Sequence, residues 1–189
     1  MHPVGGKIAG DLQYWLSQPV PARIAAVEEF GDKWLATMLN QDFKEFAALL
    51  GSNRVEYLIV GGYALAAYGH PRYTGDLDFW IGTDATNAQR VLGALKEFGF
   101  GGLGIVLHDL TLPGQVIQLG FPPRRIDLLT SIDGVEFMPC YARRMVVPID
   151  GLDLNFIALE DFKTNKRASG RLQDLADLQA LDARQPGQT

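Results

Sequence analysis

Apolar positions recur along this chain with two periods, three-to-four and two, and the changes between them mark out alternating helices and strands. The first forty residues carry the weakest signal: Leu12, Trp15 and Leu16 suggest a short amphipathic turn, Pro19 and Pro21 interrupt it, and a helical stretch begins near Ala22. A clearer helix follows, with Phe43, Phe46, Leu49 and Leu50 on one stripe and Gly51-Ser52-Asn53 as its stop. Glu56 to Val60 is an aromatic and β-branched run, hence a strand, and ends at the pair Gly61-Gly62. Ala64 to Tyr68 then predicts a brief helix closed by Gly69-His70-Pro71.

Leu77 to Ile81 predicts a second strand, and Ala85 to Phe98 a helix with Thr83 or Asp84 as its cap. After a glycine cluster, Val116 to Leu119 and Arg125 to Leu129 read as strands joined by Gly120-Phe121-Pro122-Pro123. Met145 to Ile149 and Leu152 to Phe156 read as a short edge pair. Two helical patterns, Leu159 to Ser169 and Arg171 to Leu181, split at Gly170, and Gln185 to Thr189 reads as a frayed end. The expected fold is α/β: a mixed, twisted sheet with helices packed on it, extra N-terminal helices, and a C-terminal helical pair closing over one end.

Composition narrows this picture only slightly. Hydrophobic residues are 47% and charged residues 21% of the 189, which excludes wholesale disorder, collagen and coiled coil. A formal charge of −5 argues against a surface that binds nucleic acid everywhere, while leaving room for a local basic patch. Arg124, Arg125, Arg143 and Arg144 are the residues that would build one beside a site. With one cysteine, Cys140, no internal disulfide forms, and the N-terminus lacks the apolar run of a signal peptide, so the cytoplasm is expected. The 13-residue stretch Tyr57 to Gly69, free of charges and side-chain amides, falls short of the ~20 residues of a membrane helix and reads as buried core.

The chemistry concentrates between Val60 and Ile81. Asp76 and Asp78, two apart on a strand, project from the same face, while Leu77 and Phe79 point to the other. At a separation of ~6–7 Å and an effective dielectric of ~20, two carboxylates repel by roughly 2–3 kcal/mol, which a buried strand must offset. A hard divalent cation does so directly, and magnesium is commonly held by one or two carboxylates together with substrate phosphates. Gly61-Gly62, between a strand and a helix start, offers backbone N–H groups and close approach to an anion. Arg72 and Thr74 precede the acids and would add charge and a hydroxyl. Asp127, a third carboxylate, lies inside the apolar run Arg125 to Leu129, where it needs a partner or a metal.

These residues carry a resemblance. Gly61-Gly62, a spacer, Asp76-x-Asp78 and a later Asp127 resemble the nucleotidyltransferase fold of the DNA polymerase beta superfamily. The run from Gly61 to Asp78, sharpest at Arg72-x-Thr74-x-Asp76-x-Asp78, is similar to bacterial nucleotidyltransferases of the AbiEii toxin-like group. Lys166 to Leu178 is similar to that group's C-terminal helical motif, where a lysine and an aspartate sit near the nucleotide. The likeness spans roughly Glu56 to Leu181, weakest in the middle, and departs where many superfamily members carry Gly-Ser in place of Gly61-Gly62.

The resemblance implies transfer of a nucleoside monophosphate from a nucleoside triphosphate to a hydroxyl, with release of pyrophosphate. Asp76, Asp78 and Asp127 would hold two Mg²⁺ ions, and Asp127 would help remove the acceptor proton. Gly61 and Gly62 would cradle phosphates, Arg72, Thr74 and Asp174 would adjoin the nucleotide, and Lys166, before Lys163 or Arg171, would face the leaving pyrophosphate. The domain would run over residues 41–184, after an extension (1–40) and before a tail (185–189). Its acceptor stays open between RNA, a protein and a small molecule, and a toxin–antitoxin setting would bring a protein partner. The competing function is a nucleotidyltransferase-like binding module, an antitoxin or regulatory subunit that no longer turns over.

Plainer readings stand beside these. Arg72 would otherwise pair with a surface carboxylate, and Asp174 or Asp177 would face solvent or cap charges on a helix. Lys163 and Arg167 read as a solvated helix face, and Phe79, Trp80 and Tyr63 as core. Ser131 and His108 lack the setting of a hydrolase triad, and no Cys/His spacing suggests zinc.

Overall fold

The structure, a computed structural model, describes residues 39–122 and 124–182. The expectations for residues 1–38, Pro123 and residues 183–189 lie outside the described residues.

Helix α1 (Gln41–Ser52) starts where the Asn40 side chain accepts a hydrogen bond from the Phe43 backbone N–H, at 2.9 Å, and it buries Phe43, Phe46, Ala47 and Leu50. Strand β1 (Tyr57–Ile59) is buried throughout. Helix α2 (Gly61–Ala67) begins three residues earlier than its helix formers predict. The glycine pair forms its first turn, because packing against the strands overrides the poor intrinsic propensity of glycine. Strand β2 (Asp76–Ile81) leads to α3 (Ala85–Glu97), capped by Asp84, whose carboxylate accepts from Asn87 N–H at 3.0 Å.

Two short helices, α4 (Leu107–Thr111) and α5 (Phe137–Ala142), have no counterpart in the sequence pattern. One or two turns cannot display an apolar stripe, and α5 also contains Pro139. Strands β3 (Val116–Leu119) and β4 (Arg125–Leu129) form the expected hairpin. Strands β5 (Met145–Ile149) and β6 (Leu152–Phe156) form another, turned by Asp150 and Gly151, both at positive φ as a two-residue hairpin loop requires. Helices α6 (Leu159–Ser169) and α7 (Leu172–Asp182) follow, separated by Gly170 in the left-handed region.

The six strands form one mixed sheet in the order β3-β4-β2-β1-β6-β5. The hairpin of β5 and β6 is the short edge pair that its pattern suggests: β5 is an edge strand, and β6 joins it to the sheet by lying parallel to β1, through Ile59 opposite Phe156. One sheet face is apolar: Tyr57 and Phe79 meet edge-to-face, and Phe46 of α1 packs on Phe79. Asp76, Asp78 and Trp80 project from the other face, where Trp80 meets Phe137 of α5. Phe79, Trp80 and Tyr63 are buried core, as their pattern suggests. No helix among the described residues is long and apolar enough to cross a membrane.

Candidate active site

Parallel pairing of β2 with β4 sets Asp76 opposite Arg125 and Asp78 opposite Asp127. Side chains opposite one another share a sheet face, so three carboxylates and one guanidinium form a two-by-two array there. The array opens into a cleft of about 530 Å³. Most of the residues singled out from the sequence line it: Gly61 and Gly62 from α2, Arg72 and Thr74 from the following loop, the three acids, Lys166 from α6, and Asp174 and Arg171 at the start of α7.

Both glycines are there for a packing reason that the sequence did not show. Gly61 has φ +65°, and a Cβ on it would overlap Asp78 Oδ2. A Cβ on Gly62 would come within 2.9 Å of the Thr74 Cβ. The room left by the missing Cβ atoms is thus filled by the protein itself. Thr74 Oγ1 in turn donates to Asp76 Oδ1 at 2.7 Å and fixes that carboxylate.

Arg125 is the member whose place the pattern misjudged. It does not contribute to an outward basic patch: its Nε donates to Asp127 Oδ1 at 2.7 Å, and its Nη2 donates to Asp127 Oδ2 at 3.0 Å and to Asp76 Oδ2. The other arginines of that supposed patch are also engaged. Arg143 pairs with Asp161 at 2.8 Å, Arg144 lies over the Tyr141 ring and donates to Asn155, and Arg124 pairs with Asp42 at 3.6 Å. Period-two spacing from Asp127 was the available signal that Arg125 shares the acidic face.

Asp78 bears the cost of the crowding. Burial, then the charges of Asp76 and Asp127, push its carboxyl up to about 7, against weaker opposing pulls from Lys166 and Arg125.

Across the cleft, Lys166 is buried under the helical pair. Its Nζ lies 2.5 Å from Asp174 Oδ1 and 3.0 Å from Asp177 Oδ2, and 5.2 Å from the centre of the Phe162 ring. Asp174 and Asp177 are themselves buried, which corrects the solvent-facing reading of both. Burial would raise the Asp174 carboxyl, yet hydrogen bonds from Arg171 and Lys166 outweigh it and hold the group at about 2. Arg72 pairs with buried Asp177, Nε to Oδ1 at 3.1 Å, instead of with a surface carboxylate. Lys163 pairs with Asp182 at 3.0 Å, away from the cleft wall.

Sequence reasoning missed part of the lining: Ser131, Asp133, Asn165 and Ser169. Asn165 and Ser169 are one helical turn apart and flank Lys166, a spacing that would have flagged them. Nothing local flags Ser131 or Asp133, which reach the cleft because their loop docks on α6, where Asn165 donates to the Asp133 carbonyl at 2.9 Å.

Among the described residues, no group of three His, Cys, Asp or Glu side chains converges as a ready-made metal cage. The donor chemistry nevertheless fits a hard cation: three carboxylates on one face, of which Asp78 has too little positive charge beside it to be fully ionised at neutral pH. No protein-family model matches this chain, and no curated protein matches it. The class is therefore the one its own geometry defines, a mixed α/β protein with a six-stranded sheet and an acidic cleft on one face of it.

Proposed function

We propose that this protein is a magnesium-dependent nucleotidyltransferase with the nucleotidyltransferase fold. The observation that carries the reading is the Asp76, Asp78, Asp127 array on two parallel strands, facing cationic side chains across one cleft. In the reaction an acceptor hydroxyl oxygen bonds to the α-phosphorus of a nucleoside triphosphate, the bond to the β-phosphate bridge breaks, and pyrophosphate leaves.

Asp76, Asp78 and Asp127 would hold the magnesium, two ions in all. Bound there, the metal would supply positive charge to the phosphates and a lowered pKa to the acceptor hydroxyl. Asp127 accepts the acceptor's proton. Arg72, anchored by Asp177, and Arg171, anchored by Asp174, present guanidinium groups along the wall where phosphate charge gathers. Lys166 works through those two aspartates: enclosed by them, it fixes both arginine anchors and is a positioning residue. The acceptor is a hydroxyl on RNA, a protein or a small molecule.

Calorimetric titration of the full chain with each of the four ribonucleoside triphosphates, with and without Mg²⁺, tests the site without knowledge of the acceptor. Mg²⁺-dependent binding that Asp78→Asn abolishes is the expected result. An α-³²P-labelled sample of the bound nucleotide, incubated with total RNA, with total protein and with a small-molecule extract of cells, then identifies the acceptor by label transfer. No binding to any of the four overturns the reading, and binding without transfer to any acceptor returns the protein to the class of binding modules.

A further inference from the structure

The carboxylate oxygens that a cation would need already have donors. Asp76 Oδ1 accepts from Thr74 and Oδ2 from Arg125; Asp127 Oδ1 accepts from Arg125, and Oδ2 from Arg125 and, at 3.4 Å, from Gln118. A divalent ion sits ~2.0–2.6 Å from its oxygen ligands, so at Asp76 and Asp127 it would press against a guanidinium of the same sign. We propose that Arg125 is a built-in counter-cation, which competes with a divalent cation for Asp76 and Asp127 and is released into the cleft when the cation binds.

This rests on the reading of the acidic array as a cation site. Register forces the arrangement: with Asp78 opposite Asp127, the residue two before Asp127 must stand opposite Asp76, on the same face. A positive side chain there relieves repulsion among three carboxylates when no metal is bound. The bidentate grip on Asp127 is the strong form of an arginine–carboxylate pair, and it bridges to Asp76 as a single ion would.

Arg125 also has somewhere to go. Its side chain is 23% exposed and lines the cleft, so rotation about its own torsions takes the guanidinium off the acids without disturbing the core. Released, it adds a positive charge to a cleft that already carries Arg72 and Arg171, where an anionic substrate would meet it. Cation and anion binding then reinforce one another, because each favours the released position. A permanent structural pin would behave differently: its removal would let the carboxylates spread and weaken cation binding.

The test uses the full chain and two readouts. Calorimetry with Mn²⁺ alone compares the natural chain, Arg125→Gln and Asp78→Asn; removal of the competitor should tighten binding in Arg125→Gln about tenfold or more. In the natural chain, the Arg125 Nε–Hε proton, held by Asp127, should give a slowly exchanging NMR signal that Mg²⁺ titration abolishes. Equal or weaker Mn²⁺ binding by Arg125→Gln, or a protected signal that survives saturating Mg²⁺, overturns the counter-cation and leaves the cation site standing. Absence of cation binding by both the natural chain and Arg125→Gln removes both readings. The NMR arm uses no variant, so it decides the matter even where Arg125→Gln does not fold.

Discussion

Asp78 shows how far a fold can move one side chain from its ordinary chemistry. Its carboxyl titrates near 7 in the folded chain, against 3.8 ordinarily, because burial and two neighbouring carboxylates disfavour its charge. Between those values the folded protein binds a proton that the unfolded chain has released, so stability falls as pH rises from about 4 to about 7 and stays lowered above it. Asp78→Asn removes that penalty. The variant should be more stable than the natural chain at pH 8, by about 1–3 kcal/mol, and differ little at pH 4, as read from thermal melts at the two values. A gain of equal size at both pH values would mean that side-chain shape, and not charge, sets the difference. Gly61 belongs to the same account, since the Asp78 carboxylate occupies the place of its missing Cβ.

Among the elements, the α6–α7 pair is held together by buried charge. Lys166, Asp174 and Asp177 are buried between the helices, with Arg72 and Arg171 tied to the two aspartates from outside. Replacing Lys166 removes the one charge that both buried aspartates share and leaves each with a single arginine partner, which costs up to about 3–5 kcal/mol. Lys166→Met should lose stability on that scale in urea denaturation, whereas Lys163→Met, with exposed Asp182 as its partner, should lose under about 1 kcal/mol. Equal losses would remove the buried network as the clasp of the pair. Both helices were readable from periodicity and from Gly170, and so was the presence of lysine and aspartate on them. That three charges would meet in the interior was not, because periodicity orders one helix and not the angle at which two helices pack.

For the molecule as a whole, the proposed cation site would link cation binding to folding through the acidic array. A ligand that binds only the folded chain stabilises it by RT ln(1 + [L]/Kd), about 2.7 kcal/mol at a hundred times Kd. Protonated Asp78 is a poor ligand, so the cation should bind more tightly as pH rises through about 7. Mg²⁺ should therefore raise the melting temperature clearly at pH 8 and little at pH 5.5, and the pH 8 increment should be absent in Asp78→Asn. An increment independent of pH in the natural chain would point to a cation site elsewhere. The sheet order would make that linkage global: β2 and β4, which carry the acids, lie inside the sheet, bounded by β3 on one side and β1 on the other.

The sequence by itself determined what depends on neighbours a few residues apart. Covalent geometry makes every second residue of a strand share a face, so Asp76 with Asp78, and Arg125 with Asp127, were bound to lie together wherever their strands went. Helix stripes, the Asn40 and Asp84 caps and the Asp150-Gly151 turn are equally local. Only the tertiary structure decided which strand lies beside which and in what register. Strand pairing joins residues some fifty apart, as in Asp76 with Arg125, through hydrogen bonds between backbone groups that are alike at every residue. The choice of register is made by the packing of all the side chains at once, and it places a guanidinium among three carboxylates, while the packing of α6 on α7 closes a buried lysine between two aspartates.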